Sequence, residues 1–242
     1  ETGVNCDKRT THSAFFDYDN DGDLDLYVLN HPKTNGSDNL SDEKMRQFIL
    51  EGEDADVLFR NDNGHFTDVT LAAGIQSNTY GLGIAASDLD NDGDIDIYIS
   101  SDFSGPDFLF VNNGDGTFTE DIRNQTNHIS NFSMGNEVAD FNNDGFLDIM
   151  TLDMVSEDHI RSKRNMGAMS TAVFQNLVDM GFHHQYMFNG LQLNNGNGTF
   201  SEIAQLAGIS KTDWSWAPLF ADFDNDGHKD LFITNGYKRD VR

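Results

Sequence analysis

One nine-residue pattern, Asp-x-Asp/Asn-x-Asp-Gly-x-x-Asp, occurs four times in this chain, at 17–25, 88–96, 140–148 and 222–230. Carboxylates at such density repel one another unless positive charge lies between them. Their spacing shows how they converge. Side chains at positions 1, 3 and 5 face one point of a tight loop, Gly at position 6 permits the sharp turn, position 7 offers its backbone carbonyl, and position 9 closes the cage. Hard oxygen ligands in a flexible loop suit calcium, since magnesium demands stricter octahedral geometry and keeps its waters. The bland alternative, four solvated acidic turns, leaves that repulsion uncompensated.

The expected ligands follow residue by residue. The first loop supplies Asp17, Asp19, Asp21, the Asp23 carbonyl and Asp25. The second supplies Asp88, Asp90, Asp92, the Asp94 carbonyl and Asp96. In the third they are Asp140, Asn142, Asp144, the Phe146 carbonyl and Asp148, and in the fourth Asp222, Asp224, Asp226, the His228 carbonyl and Asp230. Up to four Ca2+ ions are therefore expected. The third loop, with neutral Asn142, should bind most weakly. The Asp94 side chain is expected to face outward, His228 to be a bystander beyond its carbonyl, and Lys229 to face solvent.

A second motif recurs beside the loops. Leu58–Val69, Phe108–Glu120 and Leu191–Glu202 each read as strand, Asn/Asp-Gly turn, strand, which is a β-hairpin. Phe66, Phe118 and Phe200 each lie 22 residues before the next loop. From loop to hairpin the spacing varies: 22 residues from Asp96 to Phe118, but 41 from Asp25 to Phe66 and 52 from Asp148 to Phe200. The additions, roughly 30–55 and 154–188, look partly helical. Ser41 is a candidate cap for a stripe of Met45, Phe48 and Ile49, and Met169, Val173, Phe174, Leu177 and Val178 form a longer one. Packing against the scaffold is the favoured role for both, over a partner groove.

One repeat is thus a strand, a metal loop, a strand, an optional insertion and a hairpin. Four strands per repeat is the content of a propeller blade. The fold class is all-β, a β-propeller of which about three and a half blades are present. The phase of the repeats, opening at Gly3-Val4 and stopping after Leu231-Phe232-Ile233, predicts that residues 1–242 belong to one domain of a longer protein. The missing partners are expected to be blades of the same polypeptide or of a neighbouring subunit, and the stretch alone is not expected to close a monomeric ring.

The EF-hand is a competitor that fails. Its loop needs Glu at position 12 and flanking helices, whereas position 12 here is Val28, Ile99, Thr151 or Ile233, in strand-like sequence. The 52-to-82-residue spacing between loops also excludes contiguous Asp-rich calcium arrays.

The loops resemble the FG-GAP/VCBS repeats of integrin-α-like propellers. Asn112–Glu120, Tyr80–Gly83 and Asp213–Pro218 resemble bacterial VCBS-repeat proteins with a C-terminal ASPIC/UnbV domain, relatives of cartilage acidic protein. The resemblance implies a calcium-stabilised, seven-bladed propeller, exported to the cell surface, periplasm or extracellular space and frequent in Bacteroidota. The ASPIC/UnbV domain itself is not in this sequence.

Charge bounds the partners. A net charge of -26 argues against nucleic acid and anionic membranes, and the loops hold 17 of the 41 acidic residues. No apolar run is long enough to span a membrane, and no signal peptide is visible. The single cysteine, Cys6, cannot form an intrachain disulfide and reads as an idle thiol.

Other chemistry is thin. His183-His184, with His159 upstream, is a weak zinc or catalytic candidate, because adjacent residues on a strand face opposite ways. Trp214 and Trp216 either stack a sugar or fill space between blades. Sequons begin at Asn35, Asn39, Asn124, Asn131 and Asn197, about as many as chance supplies. No nucleophile elbow, P-loop or dinucleotide fingerprint appears. The function expected is a non-enzymatic binding or scaffold module for protein or glycan partners. The alternatives are a lectin, with Trp216 or Tyr80 stacking the sugar, and a calcium-dependent polysaccharide lyase, for which no basic cluster is visible.

Overall fold

The computed structural model describes residues 3–33, 42–102, 105–165 and 171–236. The chain divides at Ile122/Arg123 into two compact units. The fold is all-β, made of the antiparallel sheets of a partial propeller with one short parallel pair, residues 129–130 beside 185–186.

The first unit holds two four-stranded sheets in sequence order. One is β1 (Thr10–Phe16), β2 (Asp25–Asn30), β3 (Val57–Asp62) and β4 (His65–Asp68); the other is β5 (Tyr80–Ser87), β6 (Asp96–Asp102), β7 (Phe108–Asn112) and β8 (Phe118–Glu120). Each acidic loop joins the first strand of a sheet to the second. β2 and β6 are buried along their whole length, which is why Leu-Tyr-Val-Leu and Ile-Tyr-Ile run without polar alternation. β3 and β4 close through Asn63-Gly64, with φ of 54° and 88°, the left-handed pair that a two-residue hairpin requires. The sheets abut through their first strands, where Thr11 Oγ1 donates to Gly81 O at 2.7 Å. Nearby, the Tyr18 ring stacks on Phe118 at 6.0 Å.

The second unit repeats the plan with additions. After helix α1 (Asp42–Glu51) of the first unit and the short α2 (Ile122–Gln125) come β9 (Ile129–Ser130), β10 (Gly135–Ala139), β11 (Asp148–Leu152) and β12 (Met154–Val155). Helices α3 (His159–Asn165) and α4 (Thr171–Asp179) precede β13 (Gln185–Tyr186), β14 (Gly190–Asn194), β15 (Phe200–Glu202), β16 (Asp213–Ala221) and β17 (Asp230–Asn235). β10, β11, β14 and β15 form the four-stranded sheet. β16 pairs with β17 on one side and with β12 on the other. Phe141 stacks on Phe220 at 6.1 Å, as Tyr18 does on Phe118.

The apolar stripes of the two long insertions pack inward in part. Ile49 is buried, and the end of α1 is tied down by Asn78, whose N–H donates to Ile49 O at 2.7 Å and whose Nδ2 donates to Phe48 O at 2.8 Å. Leu177 is buried and the Phe174 ring meets Tyr186 at 5.5 Å, while Val173 is exposed. Ser41, Met169 and the side chain of Met45 lie outside the described residues.

Candidate metal centres

All four loops fold the same way. The first Asp clamps its own loop with both oxygens: Asp17 accepts the N–H groups of Asp21 and Gly22 at 3.1 and 2.9 Å. Asp88 holds Asp92 and Gly93, Asp140 holds Asp144 and Gly145, and Asp222 holds Asp226 and Gly227, at 2.9–3.1 Å. The fifth residue accepts the seventh N–H in each loop, as Asp92 does from Asp94 at 2.9 Å. The ninth carboxylate reaches back to the second N–H, as Asp96 does to Leu89 at 2.9 Å. Gly22, Gly93, Gly145 and Gly227 hold φ of 90–99°, where a side chain is strained.

This closure gathers carboxylates. Asp17, Asp19 and Asp25 present oxygens within 4.8 Å of one another, and so do Asp88, Asp90 and Asp96, and Asp222, Asp224 and Asp230. In the third loop Asn142 replaces the middle carboxylate; its Nδ2 donates to Asp144 Oδ2 at 2.8 Å. Among the described residues no loop carboxylate forms an ion pair. Burial pushes Asp96 up to about 7, against hydrogen bonds from Asn112 and Leu89, and repulsion from Asp90 and Asp92 adds to the rise. Asp148 rises to about 6, also first through burial. Asp19, Asp25 and Asp90 are raised by burial and then by neighbouring carboxylates. Asp19 Oδ1 is buried without a hydrogen-bond partner. Converging hard oxygens, carboxyl groups whose pKa values are raised because negative charge is disfavoured there, and an orphaned oxygen fit a divalent cation.

Three groups of residues at these loops were not singled out by sequence reasoning. First, Asn61, Asn112 and Asn194 lie at or next to the end of the third strand of their sheets, and each donates its backbone N–H to the ninth carboxylate, at 2.8–2.9 Å on Asp25, Asp96 and Asp148. Their Nδ2 groups also hold the eighth carbonyls, of Leu24, Ile95 and Leu147. The signal was present as an Asn at a fixed place in each hairpin motif. Second, the fourth loop residue is Asn in every copy, left-handed at φ 58–62°.

Third, the seventh side chain is more engaged than expected. Asp94 does not stand free in solvent: its Oδ1 accepts from Asn20 Nδ2 at 2.5 Å, and its Oδ2 lies 2.7 Å from where a Cβ on Gly114 would sit. Asp23 accepts the Asn63 N–H at 2.6 Å, and the Phe146 ring covers Gly196. The seventh side chain thus braces the loop against the hairpin turn of its own sheet. His228 Nδ1 lies 3.4 Å from Asn143 Nδ2 of the third loop.

Two of the other candidates, His183 and Tyr80, are taken up by packing. His183 is buried, with Nε2 3.1 Å from both Thr126 O and Oγ1, and burial lowers it to about 4. Tyr80 is buried edge-on against His31 at 4.4 Å, so its ring is not available to stack a sugar. Trp216 is 44% exposed and donates its indole N–H to Gly236 O at 3.1 Å. Cys6 is free, with Sγ 3.7 Å from Asn30 Oδ1.

Residues 41–99, 88–151 and 183–233 match the family model described as FG-GAP-like repeat. Curated relatives include Cartilage acidic protein 1 of Xenopus tropicalis, 31% identical over 172 residues, covering 70% of this chain and 22% of that protein. The Homo sapiens protein of the same name is 24% identical over 200 residues, covering 70% of this chain and 30% of its own length. The chain therefore spans less than a third of these relatives. A solved structure of an Agrocybe aegerita lectin that recognises non-reducing terminal N-acetylglucosamine aligns over 92% of this chain and 46% of that one, with a TM-score of 0.43 and 17% identity.

Proposed function

The chain belongs to the FG-GAP-like repeat family, and from that premise we propose that it is part of a calcium-stabilised propeller that serves outside the cytosol as a non-enzymatic binding or scaffold module for a protein or glycan partner. The observation that carries the reading is the fourfold clamp: in every copy the first Asp binds the fifth and sixth N–H groups, and in the first, second and fourth copies three carboxylates converge on one point. In the first loop Asp17, Asp19, Asp21, Asp25 and the Asp23 carbonyl would hold Ca2+, and the equivalent residues would do so in the other three. Bound calcium supplies the positive charge that the clustered carboxylates lack.

Among the described residues no helix is long and apolar enough to cross a membrane. The burial of His183 and of Tyr80 removes two of the groups on which a catalytic or sugar-stacking reading would draw. The test is thermal melting with calcium and with chelator. Ligand that binds only the folded state adds about 2.7 kcal/mol per site at 100-fold saturation, so melting should fall sharply on chelation. An unchanged melting temperature in verified metal-free protein overturns the proposal.

A further inference from the structure

Asp25 and Asp96, the buried ninth residues of the first two loops, are joined by one hydrogen-bonded path. Asp25 Oδ2 accepts the Tyr18 N–H at 2.9 Å, and Tyr18 O accepts from Asn112 Nδ2 at 2.8 Å. The Asn112 N–H then donates to Asp96 Oδ1 at 2.9 Å. A second link runs beside it, from Asn20 Nδ2 of the first loop to Asp94 Oδ1 of the second at 2.5 Å. In the second unit the same fourth-position Asn also reaches the next loop, through a different acceptor: Asn143 Nδ2 donates to Gly227 O at 3.0 Å and lies 3.4 Å from Nδ1 of the seventh residue, His228. A reach from the fourth residue to the next loop that recurs in two loop pairs belongs to the repeat and not to one accidental side-chain placement.

We propose that Asn20 and Asn112 are positioning residues that couple the first two loops, so that calcium held by one favours calcium in the other. The proposal rests on the calcium reading above. Asn20 lies between Asp19 and Asp21, so ordering the first loop fixes Asn20 and, through Asp25, the Tyr18 peptide. Those two groups hold Asp94, whose carbonyl is the seventh ligand of the second loop, and Asn112, which holds Asp96. A second loop ordered in advance loses less conformational freedom on binding. Direct electrostatics has the opposite sign, because a cation in the first loop offsets negative charge that would attract one to the second. The sign of the coupling therefore separates the two causes.

The experiment uses the full-length protein with ¹⁵N-glycine and calcium alone as the probe. Gly22 and Gly93 each donate their N–H to the first Asp of their own loop, so their NMR resonances report occupancy loop by loop. Asp17→Asn cripples the first loop. It should raise the calcium midpoint at Gly93 by about fivefold or more, the lower bound of ordinary coupling energies. Adding Asn20→Gly, which keeps the left-handed backbone, should cut that rise by at least half, and adding Asn112→Ala as well should abolish it. A Gly93 midpoint that stays or falls in Asp17→Asn overturns the coupling. A rise equally large with Asn20 and Asn112 both replaced overturns the route. Glycine resonances that ignore calcium altogether overturn the calcium reading itself.

Discussion

Tyr27 donates its hydroxyl hydrogen to Asp56 Oδ2 at 3.1 Å, and neither residue is more than 2% exposed. Asp56 also accepts from the Asn30 N–H at 2.7 Å and from the Ser77 hydroxyl. Tyr98 and Asp107 repeat the pair in the next sheet, with Asp107 accepting the Ser101 N–H at 2.8 Å. In the third sheet the carboxyl changes place: Met150 stands where the tyrosines do, Asn189 Oδ1 accepts the Asp153 N–H at 2.8 Å, and the buried carboxylate is that of Asp153, which accepts from the Ser130 hydroxyl at 2.8 Å. These networks close the end of each second strand that lies away from the acidic loop.

Burial pushes Asp56 up to about 7, hydrogen bonds notwithstanding. Its folded value lies above its unfolded one, so the proton is held more tightly in the native state. Stability tied to this group is therefore fully present below about pH 4 and is lost as pH rises through 7. Asp56→Asn, which imitates Asn189, should flatten the melting profile between pH 4 and 7. At pH 8 it should be more stable than the parent by up to about 4 kcal/mol, at about 1.4 kcal/mol per unit. The comparison is made in saturating calcium, which holds the loop carboxylates ionised. An unchanged slope over that interval refutes the assignment.

Gly196 and Gly198 share one turn and separate backbone strain from steric contact. Both have positive φ, 65° and 76°. A Cβ on Gly196 would lie 2.6 Å from Phe146 Cζ, while one on Gly198 has nothing within 4 Å. Gly198→Ala should cost about 1 kcal/mol, the left-handed penalty alone. Gly196→Ala should cost more, by about 1–3 kcal/mol, as expected for overpacking. Phe146→Ala should recover that excess in a double-mutant cycle read by denaturant melts. Additive effects would show that Phe146 does not brace the turn.

The clamp should matter even before metal binds. Asp88 accepts two backbone N–H groups, whereas the Asp92 side chain accepts one, from Asp94. Asp88→Ala should therefore lower the melting temperature of chelated protein more than Asp92→Ala does, by about 1 kcal/mol, the usual net worth of a hydrogen bond. Equal losses without calcium would mean that the clamp contributes nothing to the loop's own fold.

The repeat was legible because its signal is both local and periodic. Gly22 and its counterparts fix the turn, alternate Asp residues fix the inward side chains, and Phe66, Phe118 and Phe200 fix the hairpin register. What escaped depends on tertiary partners. Asp94 and Asp92 look alike in sequence, and no spacing shows that Asn20, 74 residues earlier than Asp94, reaches its carboxylate. Asn112 is one of many Asn residues, and its backbone bond to Asp96 exists only once β7 lies beside β6. Tyr80 looked like a candidate for stacking because composition does not report burial against His31. The short β12 was also hidden: two residues, Met154 and Val155, are too few for any periodicity, and pairing with β16 alone makes them a strand.

Asn142 offers a substitution whose sign differs with and without calcium. Its Oδ1 accepts the Asp144 N–H at 3.1 Å, and its Nδ2 donates to Asp144 Oδ2 at 2.8 Å. Asn142→Asp keeps the acceptor but replaces the donor with a carboxylate facing Asp144. In chelator this adds like-charge repulsion and should lower the melting temperature. In calcium the same carboxylate becomes a charged ligand at the third position, like Asp19, Asp90 and Asp224, and affinity rises with ligand charge. The third loop should tighten about tenfold, equivalent to about 1.4 kcal/mol. The interval between melting temperatures with and without calcium should widen from both sides. Calorimetric titration should show the weakest site of the parent shifting toward the others. A lower melting temperature in calcium as well would mean that Asn142 serves the fold of the third loop and not its affinity for the ion.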